Sequence, residues 1–486
     1  MVLDDIACHT AVRSRDRRFD GVFYTGVKTT GVYCRPVCPA KTPLAKNCAF
    51  FATPAQAEAA GFRPCLRCRP EMSPGRRVTT APNDNLAERF LAQVQNDGLF
   101  GETLETVAYR LGVSSRHLRR VVEQQCGVGP HELVRSTRLL FARRLLSTTS
   151  MSVATIAYGA GFGSLSRFNE GFRERYSMTP SEFRERASIQ EDDRAAITLR
   201  IAAREPLAWS DMLEYLGLRC IPGVEAVRDG KYWRTLRIGR HKGWLSVART
   251  QSGAVELEVS GGLAGPLIAV AGRVRNLFDL DTNPEPIAET LVADELLQPA
   301  VEGIPGLRIP GTCDGFELAV RAILGQQVTV RAATTLAGRM VQRFSEPAHD
   351  VPEGLSHWPL DPASIANAEL GDIAACGIPS ARAATIKTLA MQVANGHLDL
   401  DHTVGSQQVL RTLEAIPGIG PWTRDYIAMR ALRQPDAFPA GDLGLRKAAG
   451  HITSAELERR SERWRPWRPY AAIYLWNLER MEHTNR

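Results

Sequence analysis

The chain has 486 residues, which suits about three globular domains, and its formal net charge is +7. Its first 190 residues carry 27 lysines and arginines against 17 acidic residues, so a surface for a polyanion such as nucleic acid is expected there. Ten cysteines are too few for a disulfide scaffold, and no secretory signal or apolar run of membrane-spanning length occurs, so a cytoplasmic protein without membrane contact is expected.

Two close pairs of cysteines lie near the N-terminus, Cys34-Arg-Pro-Val-Cys38 and Cys65-Leu-Arg-Cys68, with 26 residues between the pairs. Four thiolates in one tetrahedral site suit zinc at neutral pH, so these four cysteines are the predicted ligands of one zinc ion. Basic residues surround both pairs, which predicts a metal site on a surface that faces nucleic acid. Most all-cysteine zinc sites are structural, and a purely structural role is the alternative to chemistry here.

Residues 84–187 are predicted to be helical and contain an internal repeat. Ala108-Tyr109 and Gly112 recur 49 residues later as Ala157-Tyr158 and Gly161. Each copy is predicted to fold as helix, glycine turn and helix, at residues 103–125 and 153–175. The second helices carry polar side chains that suit the major groove of DNA: Arg116, His117, Arg119 and Arg120 in one, and Ser164, Ser166, Arg167 and Asn169 in the other. A helical bundle with solvated arginines is the alternative.

Polar linkers are predicted at residues 79–85 and 188–200. Beyond the second linker, β-rich segments at 231–238, 244–248 and 254–259 predict an antiparallel sheet, accompanied by helices at 207–216 and 272–278. From about residue 309 the pattern is almost wholly helical. The resulting fold class is multidomain, and the predicted domains are a small α+β zinc domain (1–78, with strands at 21–28 and 48–52), an all-α double helix-turn-helix domain (84–187), an α+β sheet domain (197–308) and an all-α domain (309–486).

The last domain contains the turn sequence Pro417-Gly418-Ile419-Gly420-Pro421-Trp422-Thr423. A helix is predicted to end at Pro417 and a second one to begin directly after the glycines, which makes a helix-hairpin-helix. Unpaired backbone N–H groups at the start of the second helix can bind a phosphate of the DNA backbone. The predicted contacts are Pro417, Gly418, Ile419, Gly420 and Thr423. A plain tight connection between helices is the alternative.

About twenty residues further on, Asp442 is predicted where a loop meets the next helix. Aspartate is among the best N-cap residues, so capping is its simplest role. A cap position also fixes the side chain, so a chemical role is compatible with it.

Residues 309–486 resemble the helix-hairpin-helix DNA glycosylases, and residues 200–486 as a whole resemble the AlkA-type 3-methyladenine DNA glycosylases. The resemblance rests on the stretch Arg321-Ala-Ile-Leu-Gly-Gln-Gln327, the hairpin, Asp442, and Trp467-Arg-Pro-Tyr470 leading to Trp476. It implies that Asp442 is the catalytic acidic residue and that Trp422, Tyr426 and Trp476 hold the flipped base.

Two departures from other glycosylases refine this interpretation. Trp422 stands where lyase-active members of the superfamily carry a nucleophilic lysine, and no cysteine follows Cys376, so neither a Schiff base nor an iron–sulfur cluster is expected. A residue near Gln327 wedges into the duplex in this family. An apolar side chain is expected there, so the glutamine leaves the wedge role of this position open.

Residues 10–72 resemble the N-terminal domain of the Ada-type adaptive-response proteins, through Phe19-Asp-Gly-Val-Phe, Thr29-Thr-Gly-Val-Tyr-Cys34-Arg-Pro-Val-Cys38 and Ala60-Gly-Phe-Arg-Pro-Cys65-Leu-Arg-Cys68. The resemblance implies that Cys34 accepts a methyl group from a methylphosphotriester in DNA, with the other three cysteines as its co-ligands. By charge counting, the zinc site would change from about −2 to about −1 on methylation and so bind DNA more tightly. The repeated helix-turn-helix resembles the AraC family.

The function expected from the sequence is therefore repair of alkylated DNA by methyl transfer to Cys34 and by base excision, together with regulation of transcription. The expected partners are damaged and promoter double-stranded DNA, with RNA polymerase as a further candidate, and the expected place of action is the nucleoid in the cytoplasm. Two alternatives are a repair enzyme without a regulatory role and a methylation-sensing activator whose glycosylase domain is inactive.

Overall fold

The computed structural model describes residues 4–75, 86–187, 196–251, 253–401, 407–434 and 436–484. The predicted linker at 79–85 and the first part of the predicted linker at 188–200 lie outside these residues. Among the described residues, no helix is both long and apolar enough to cross a membrane.

The zinc module, residues 4–75, combines two helices with a small sheet. Its elements are α1 (Asp5–Ser14), β1 (Tyr24–Val27), β2 (Val32–Cys34), β3 (Cys48–Phe51), α2 (Pro54–Ala59) and β4 (Arg63–Pro64). The strand order is β3-β1-β2-β4, with β1 antiparallel to both neighbours and β2 parallel to β4. The two predicted strands are confirmed in shortened form. This pairing brings Cys34, at the end of β2, beside Cys65, which directly follows β4.

The next region contains two helix-turn-helix units joined by a long helix. The first unit consists of α3 (Leu86–Asp97), α4 (Leu104–Arg110) and α5 (Ser115–Cys126); the joining helix is α6 (Pro130–Leu146); the second unit consists of α7 (Val153–Gly159), α8 (Leu165–Tyr176) and α9 (Pro180–Ala187). Gly112 and Gly161 have φ values of 78° and 88°, the left-handed region that favours glycine, which explains why the repeat keeps a glycine at both turns. The predicted repeat is confirmed.

The sheet domain follows. Its elements are β5 (Ile197–Ile201), α10 (Trp209–Gly217), β6 (Glu225–Arg228), β7 (Lys231–Ile238), β8 (His241–Arg249), β9 (Val255–Val259), α11 (Leu267–Leu277), α12 (Glu285–Leu291) and α13 (Gln298–Gly303). The strands form one antiparallel sheet of order β5-β9-β8-β7-β6. The predicted sheet is confirmed. The prediction of a linker up to residue 200 is wrong at its end, because residues 197–201 pair with β9 as an edge strand.

The remainder is helical, as predicted. Its helices are α14 (Gly315–Leu324), α15 (Val330–Phe344), α16 (Pro362–Asn367), α17 (Leu370–Ala374), α18 (Ser380–Ala394), α19 (Gln407–Glu414), α20 (Pro421–Arg430), α21 (Leu443–Ala448), α22 (Ser454–Ser461) and α23 (Arg468–Thr484). Two hydrophobic cores organise these helices, and Tyr426 of α20 packs against both. The junction between the two cores therefore positions the residues of the candidate glycosylase site.

The second helix-turn-helix unit and the sheet domain share a single hydrophobic core. Side chains of α6, α7 and α8, including Leu145, Ile156 and Phe172, belong to the same buried cluster as side chains of the sheet and of α11. Close backbone approach supports this packing, because a Cβ on Gly159 of α7 would lie 2.7 Å from the carbonyl oxygen of Ala264, which precedes α11. The two regions are therefore joined by more than a linker.

Candidate metal centre and candidate glycosylase site

The four cysteines of the two sequence pairs come together in the zinc module. The sulfur atoms of Cys34, Cys38, Cys65 and Cys68 all lie within 4.8 Å of one another. Tetrahedral zinc with Zn–S bonds of the usual length places its sulfurs about 3.8 Å apart, so this cluster fits one zinc ion. Cys65 and Cys68 are buried, whereas Cys34 and Cys38 are half-buried. The predicted four-cysteine zinc site is confirmed.

The four sulfurs have unequal surroundings. The backbone N–H of Arg35 donates to the sulfur of Cys68 over 3.3 Å. Since an N–H donor withdraws charge from a thiolate, this bond makes the sulfur of Cys68 less electron-rich.

Both chain neighbours of Cys34 bind carboxylates. The hydroxyl of Tyr33 donates to Oε1 of Glu58 over 2.9 Å, and Nε of Arg35 donates to Oδ1 of Asp20 over 2.8 Å. These partners fix the strand end that carries Cys34.

The hairpin at residues 415–420 is held from two sides. Gly418 has a φ of 90°, and a Cβ at this position would lie 2.1 Å from Oγ1 of Thr385, so both the backbone and the packing require glycine. Nε2 of Gln326 donates to the carbonyl of Gly418 and to Oγ1 of Thr423, each over 2.9 Å. The preceding helix α19 ends at Glu414, so the prediction that it ends at Pro417 is wrong by one turn.

Helix α20 begins at Pro421 without a side-chain cap from its N-cap residue, Gly420. The backbone N–H groups of its first turn are therefore available to an anion, as the hairpin prediction requires. Ile419 is buried in the neighbouring core and anchors the turn. The structure thus assembles the predicted hairpin around the start of α20.

Asp442 accepts three hydrogen bonds. Oδ1 accepts from the backbone N–H of Leu445 over 3.0 Å, which caps α21, and from Nε1 of Trp476 over 2.9 Å. Oδ2 accepts from Nε1 of Trp422 over 2.8 Å. Asp442 is half-buried, and these donors fix the orientation of its carboxylate. Both expectations for Asp442, a helix cap and a fixed carboxylate, are met by one geometry.

The three predicted pocket aromatics form one group beside Asp442. The rings of Trp422 and Tyr426 are stacked, with centroids 5.5 Å apart at 22°, and the ring of Trp476 lies 6.1 Å from that of Tyr426 at 58°. The indole N–H groups of both tryptophans are directed at the carboxylate. A wall of aromatic faces next to a negative charge suits a cationic base.

Sequence reasoning missed Arg430, which lies one helical turn after Tyr426. Its Nη1 donates to the hydroxyl of Tyr426 over 2.6 Å, while Nε and Nη2 donate to the carbonyls of Pro310 and Gly311. Burial opposes ionisation of Tyr426, but the positive charges of Arg430 and Arg219 outweigh it and lower the pKa of Tyr426 to about 8. The i, i+4 spacing of Tyr426 and Arg430 on α20 was the available signal.

The predicted recognition residues lie on α5 and at the start of α8. Arg116, His117, Arg119 and Arg120 are all exposed on α5. On the second unit, Ser166 and Arg167 are exposed and Asn169 is half-buried, whereas Ser164 is the N-cap of α8 and its hydroxyl accepts from the N–H of Arg167. The hydroxyl of Ser164 is thus engaged in capping.

Gln327 lies at the exposed tip between α14 and α15 with a φ of 55°. The next residue, Val328, is 38% exposed and is an apolar side chain at this tip that sequence reasoning did not single out. The wedge assignment near Gln327 stays a prediction.

Models of four protein families match the chain in the order of its domains. The metal binding domain of Ada matches residues 7–71, a helix-turn-helix domain matches 107–186, the AlkA N-terminal domain matches 198–314, and the HhH-GPD superfamily base excision DNA repair protein matches 320–469. With the fold and the two sites, these matches define a DNA-binding repair protein that joins a zinc domain and a helix-turn-helix domain to a DNA glycosylase.

Whole-length similarity goes further. The probable bifunctional transcriptional activator/DNA repair enzyme AlkA of Mycobacterium tuberculosis (strain H37Rv) is 41% identical, over 98% of this chain and 96% of the relative. The chain therefore belongs to this family of bifunctional transcriptional activators and DNA repair enzymes.

Two relatives and one solved structure match parts of the chain. DNA-3-methyladenine glycosylase 2 of Escherichia coli (strain K12) is 34% identical over 56% of this chain and 95% of its own length. The bifunctional transcriptional activator/DNA repair enzyme Ada of the same strain is 34% identical over 36% of this chain and 47% of its own. The solved 3-methyladenine DNA glycosylase of Archaeoglobus fulgidus shares the fold, with a TM-score of 0.51 at 21% identity, and covers 58% of this chain and 98% of that structure's chain.

Proposed function

We propose that this protein repairs alkylated DNA by two separate reactions and activates transcription once it has been methylated. The glycosylase reaction hydrolyses the N-glycosidic bond of alkylated bases such as 3-methyladenine. The second reaction transfers a methyl group from a DNA methylphosphotriester to Cys34, once per molecule. We assign these activities to units at 309–486 and 1–78, with DNA binding at 84–187 and the sheet domain at 197–308.

In the methyl transfer, the sulfur of Cys34 attacks the methyl carbon of the triester. An S–C bond forms, the methyl C–O bond breaks, and the phosphodiester leaves with its negative charge restored. Zinc, when bound, keeps the four sulfurs deprotonated at neutral pH. The backbone N–H of Arg35 withdraws charge from the sulfur of Cys68, which supports a role for Cys68 as a co-ligand and not as the methyl acceptor. Arg35 and Tyr33 position the strand end through Asp20 and Glu58.

In base excision, positive charge develops on the deoxyribose as the bond from C1′ to the base nitrogen breaks and its electron pair leaves with the base. The carboxylate of Asp442 stabilises this charge, and water then adds its hydroxyl at C1′ and releases its proton to solvent. Trp422 and Trp476 hold the carboxylate in place while their rings, with Tyr426, accept the base. Trp422 has no nucleophilic amine, so the product is an abasic site with an intact backbone.

DNA engagement would use three surfaces. Helices α5 and α8 enter successive major grooves, and the hairpin at 417–420 binds a backbone phosphate near the lesion. The exposed arginines of α5 support this assignment. Contact with RNA polymerase at promoters and action on the nucleoid in the cytoplasm belong to the same proposal.

The observation that carries the glycosylase assignment is the convergence of three N–H donors on Asp442. We expect Asp442→Asn to lower the rate of base release from methylated duplex DNA by about 100-fold or more, because the amide keeps the size of the side chain and loses its charge. Asp425→Asn, on the face of α20 paired with Arg424, is the matched control and should keep the rate. Absence of base release by the wild-type protein would refute the enzymatic assignment.

The methyl transfer has its own test. Incubation with duplex DNA that carries a methylphosphotriester should add one methyl group, located on Cys34 by peptide mass spectrometry. A methyl group on Cys38 or Cys48, or none, contradicts the assignment. Promoter-DNA affinity before and after methylation then separates a regulator from a repair enzyme that uses the helix-turn-helix only as a tether, since equal affinities would remove the switch.

A further inference from the structure

The side chain of Glu58, which accepts a hydrogen bond from Tyr33, is buried between the zinc module and helices α6 and α8. Glu58 belongs to α2 of the zinc module, and its side chain has no exposed surface. Besides the hydroxyl of Tyr33, its carboxylate accepts from Oγ of Ser136 on α6 over 2.6 Å and lies 3.4 Å from Nη1 of Arg175 on α8. Helix α8 is the recognition helix of the second unit. A single carboxylate thus connects the residue next to Cys34 with a DNA-reading helix.

A second buried ion pair lies in the same interface. Nη1 of Arg143 on α6 is 3.2 Å from Oε2 of Glu71 in the zinc module, and both side chains are at most 2% exposed. Nη2 of the same arginine also reaches the carbonyl of Cys65, a zinc ligand, over 3.5 Å. Its guanidinium lies over the ring of Tyr176 at the end of α8. This arginine therefore contacts the metal-binding loop and the recognition helix together.

The two sides of this interface have opposite charge. The zinc module contributes two glutamates, one of which accepts from the neighbour of Cys34, and the helix-turn-helix region contributes two arginines. Burial raises the pKa of Glu58, a sign that solvent screens its charge poorly. In such surroundings, the loss of one negative charge changes the electrostatic energy of the interface more than it would at the surface.

We propose that Glu58 transmits alkylation of Cys34 to the second helix-turn-helix unit inside the protein, independently of any DNA phosphate. Methylation converts a thiolate to a neutral thioether and so removes one negative charge from the side of the interface that attracts Arg143 and Arg175. The zinc module then holds α8 less tightly, which frees that helix to adjust to DNA. This inference rests on the proposed methyl transfer and adds a route by which the second unit senses it.

Hydrogen–deuterium exchange of the full-length, zinc-loaded protein tests this route without DNA. The protein is methylated with methylphosphotriester DNA, the DNA is removed at high salt, and peptides of α8 are compared with those of unmethylated protein. We expect exchange in α8 to accelerate about fivefold or more. Exchange in α15 of the glycosylase domain, which is remote in the fold, should not change.

Variants identify the carboxylate responsible. In Glu58→Gln, α8 should exchange rapidly already before methylation, and methylation should add little. Glu132→Gln is the matched control, since Glu132 also pairs with Arg175 but is 30% exposed, and this variant should keep the full response. Tyr33→Phe removes only the hydroxyl that joins Glu58 to the strand of Cys34, and it should weaken the response while the fold is kept.

Two results would overturn the inference: equal exchange in α8 of methylated and unmethylated wild-type protein, or an unchanged response in Glu58→Gln of normal thermal stability and zinc content. Peptide mass spectrometry separates this failure from that of the proposed function. If DNA leaves no methyl group on Cys34, the transfer reaction is refuted. Methyl iodide then supplies the methyl group at Cys34, and the exchange comparison still decides the inference.

Discussion

The second helix-turn-helix unit meets two neighbours through interfaces of opposite character. Towards the zinc module, this unit and the joining helix α6 present arginines to buried carboxylates, in the pairs Arg175–Glu58 and Arg143–Glu71. Towards the sheet domain it shares one apolar core, with Gly159 of α7 packed against Leu267 of α11. Apolar burial responds little to a change of charge, whereas a buried ion pair responds strongly. The apolar interface with the sheet domain is therefore suited to a permanent contact, and the charged interface with the zinc module is suited to a switch.

The apolar interface should tolerate an added side chain least. In Gly159→Val, the new Cβ would lie 2.7 Å from the carbonyl oxygen of Ala264, so α7 and the sheet domain must separate. We expect a loss of about 4 kcal/mol in the free energy of unfolding, measured by urea denaturation. Gly371→Ala, where an added Cβ meets no atom within 4 Å, is the control and should cost nothing. A small loss in Gly159→Val would show that the second unit and the sheet domain are not packed together.

The charged interface should be weakened when one side chain of a buried ion pair is removed. Arg143→Met keeps much of the side-chain volume but leaves Glu71 buried with Arg69 as its remaining partner. We expect a destabilisation of about 3 kcal/mol and release of the zinc module as a fragment on limited proteolysis. Arg135→Met removes an arginine whose partner, Glu174, is well exposed, and it should leave proteolysis unchanged. If both variants resist proteolysis equally, the buried ion pair does not hold the zinc module in place, and the contrast between the charged and the apolar interface is contradicted.

A single hydrogen bond at the same interface should have the smallest effect. Ser136→Ala removes the hydroxyl that donates to Glu58 and leaves Tyr33 and Arg175 in place. We expect a loss of about 1 kcal/mol in thermal or urea unfolding. Thr155→Ala, whose hydroxyl bonds with exposed Ser152, provides the comparison and should cost less. A loss as large as that of Arg143→Met would mean that Glu58 depends on the hydroxyl more than on the ion pair.

The sequence was most informative where structure is local. The glycine turns of the repeat follow from the left-handed φ at Gly112 and Gly161, and the position of Asp442 follows from its capping role. Edge strand β5 was missed because it directly follows a charged segment and its partner β9 lies more than fifty residues away. Pairing with a distant strand leaves little trace in a short window of sequence.

The contacts that define the sites were harder to predict for the same reason. Asp442 is held by indoles 20 and 34 residues away, and no spacing rule connects them. Glu58 lies in the short helix α2, and a glutamate in a helix is ordinarily exposed to solvent. It is buried because α6 and α8 cover it, which only the tertiary structure shows. The family resemblance supplied the pocket residues, but not Arg430 beneath Tyr426.

The shared core of the second unit and the sheet domain has a consequence for how damage is searched. A flexible tether lets an excision domain sample many positions around a bound site, at an effective concentration set by the length of the linker. A common core instead fixes the second helix-turn-helix unit against the sheet domain. Under the proposed function, a protein bound to a promoter through α5 and α8 would therefore reach lesions only on one face and at one helical phase of the nearby DNA, and it would have to leave the promoter to excise bases elsewhere in the chromosome.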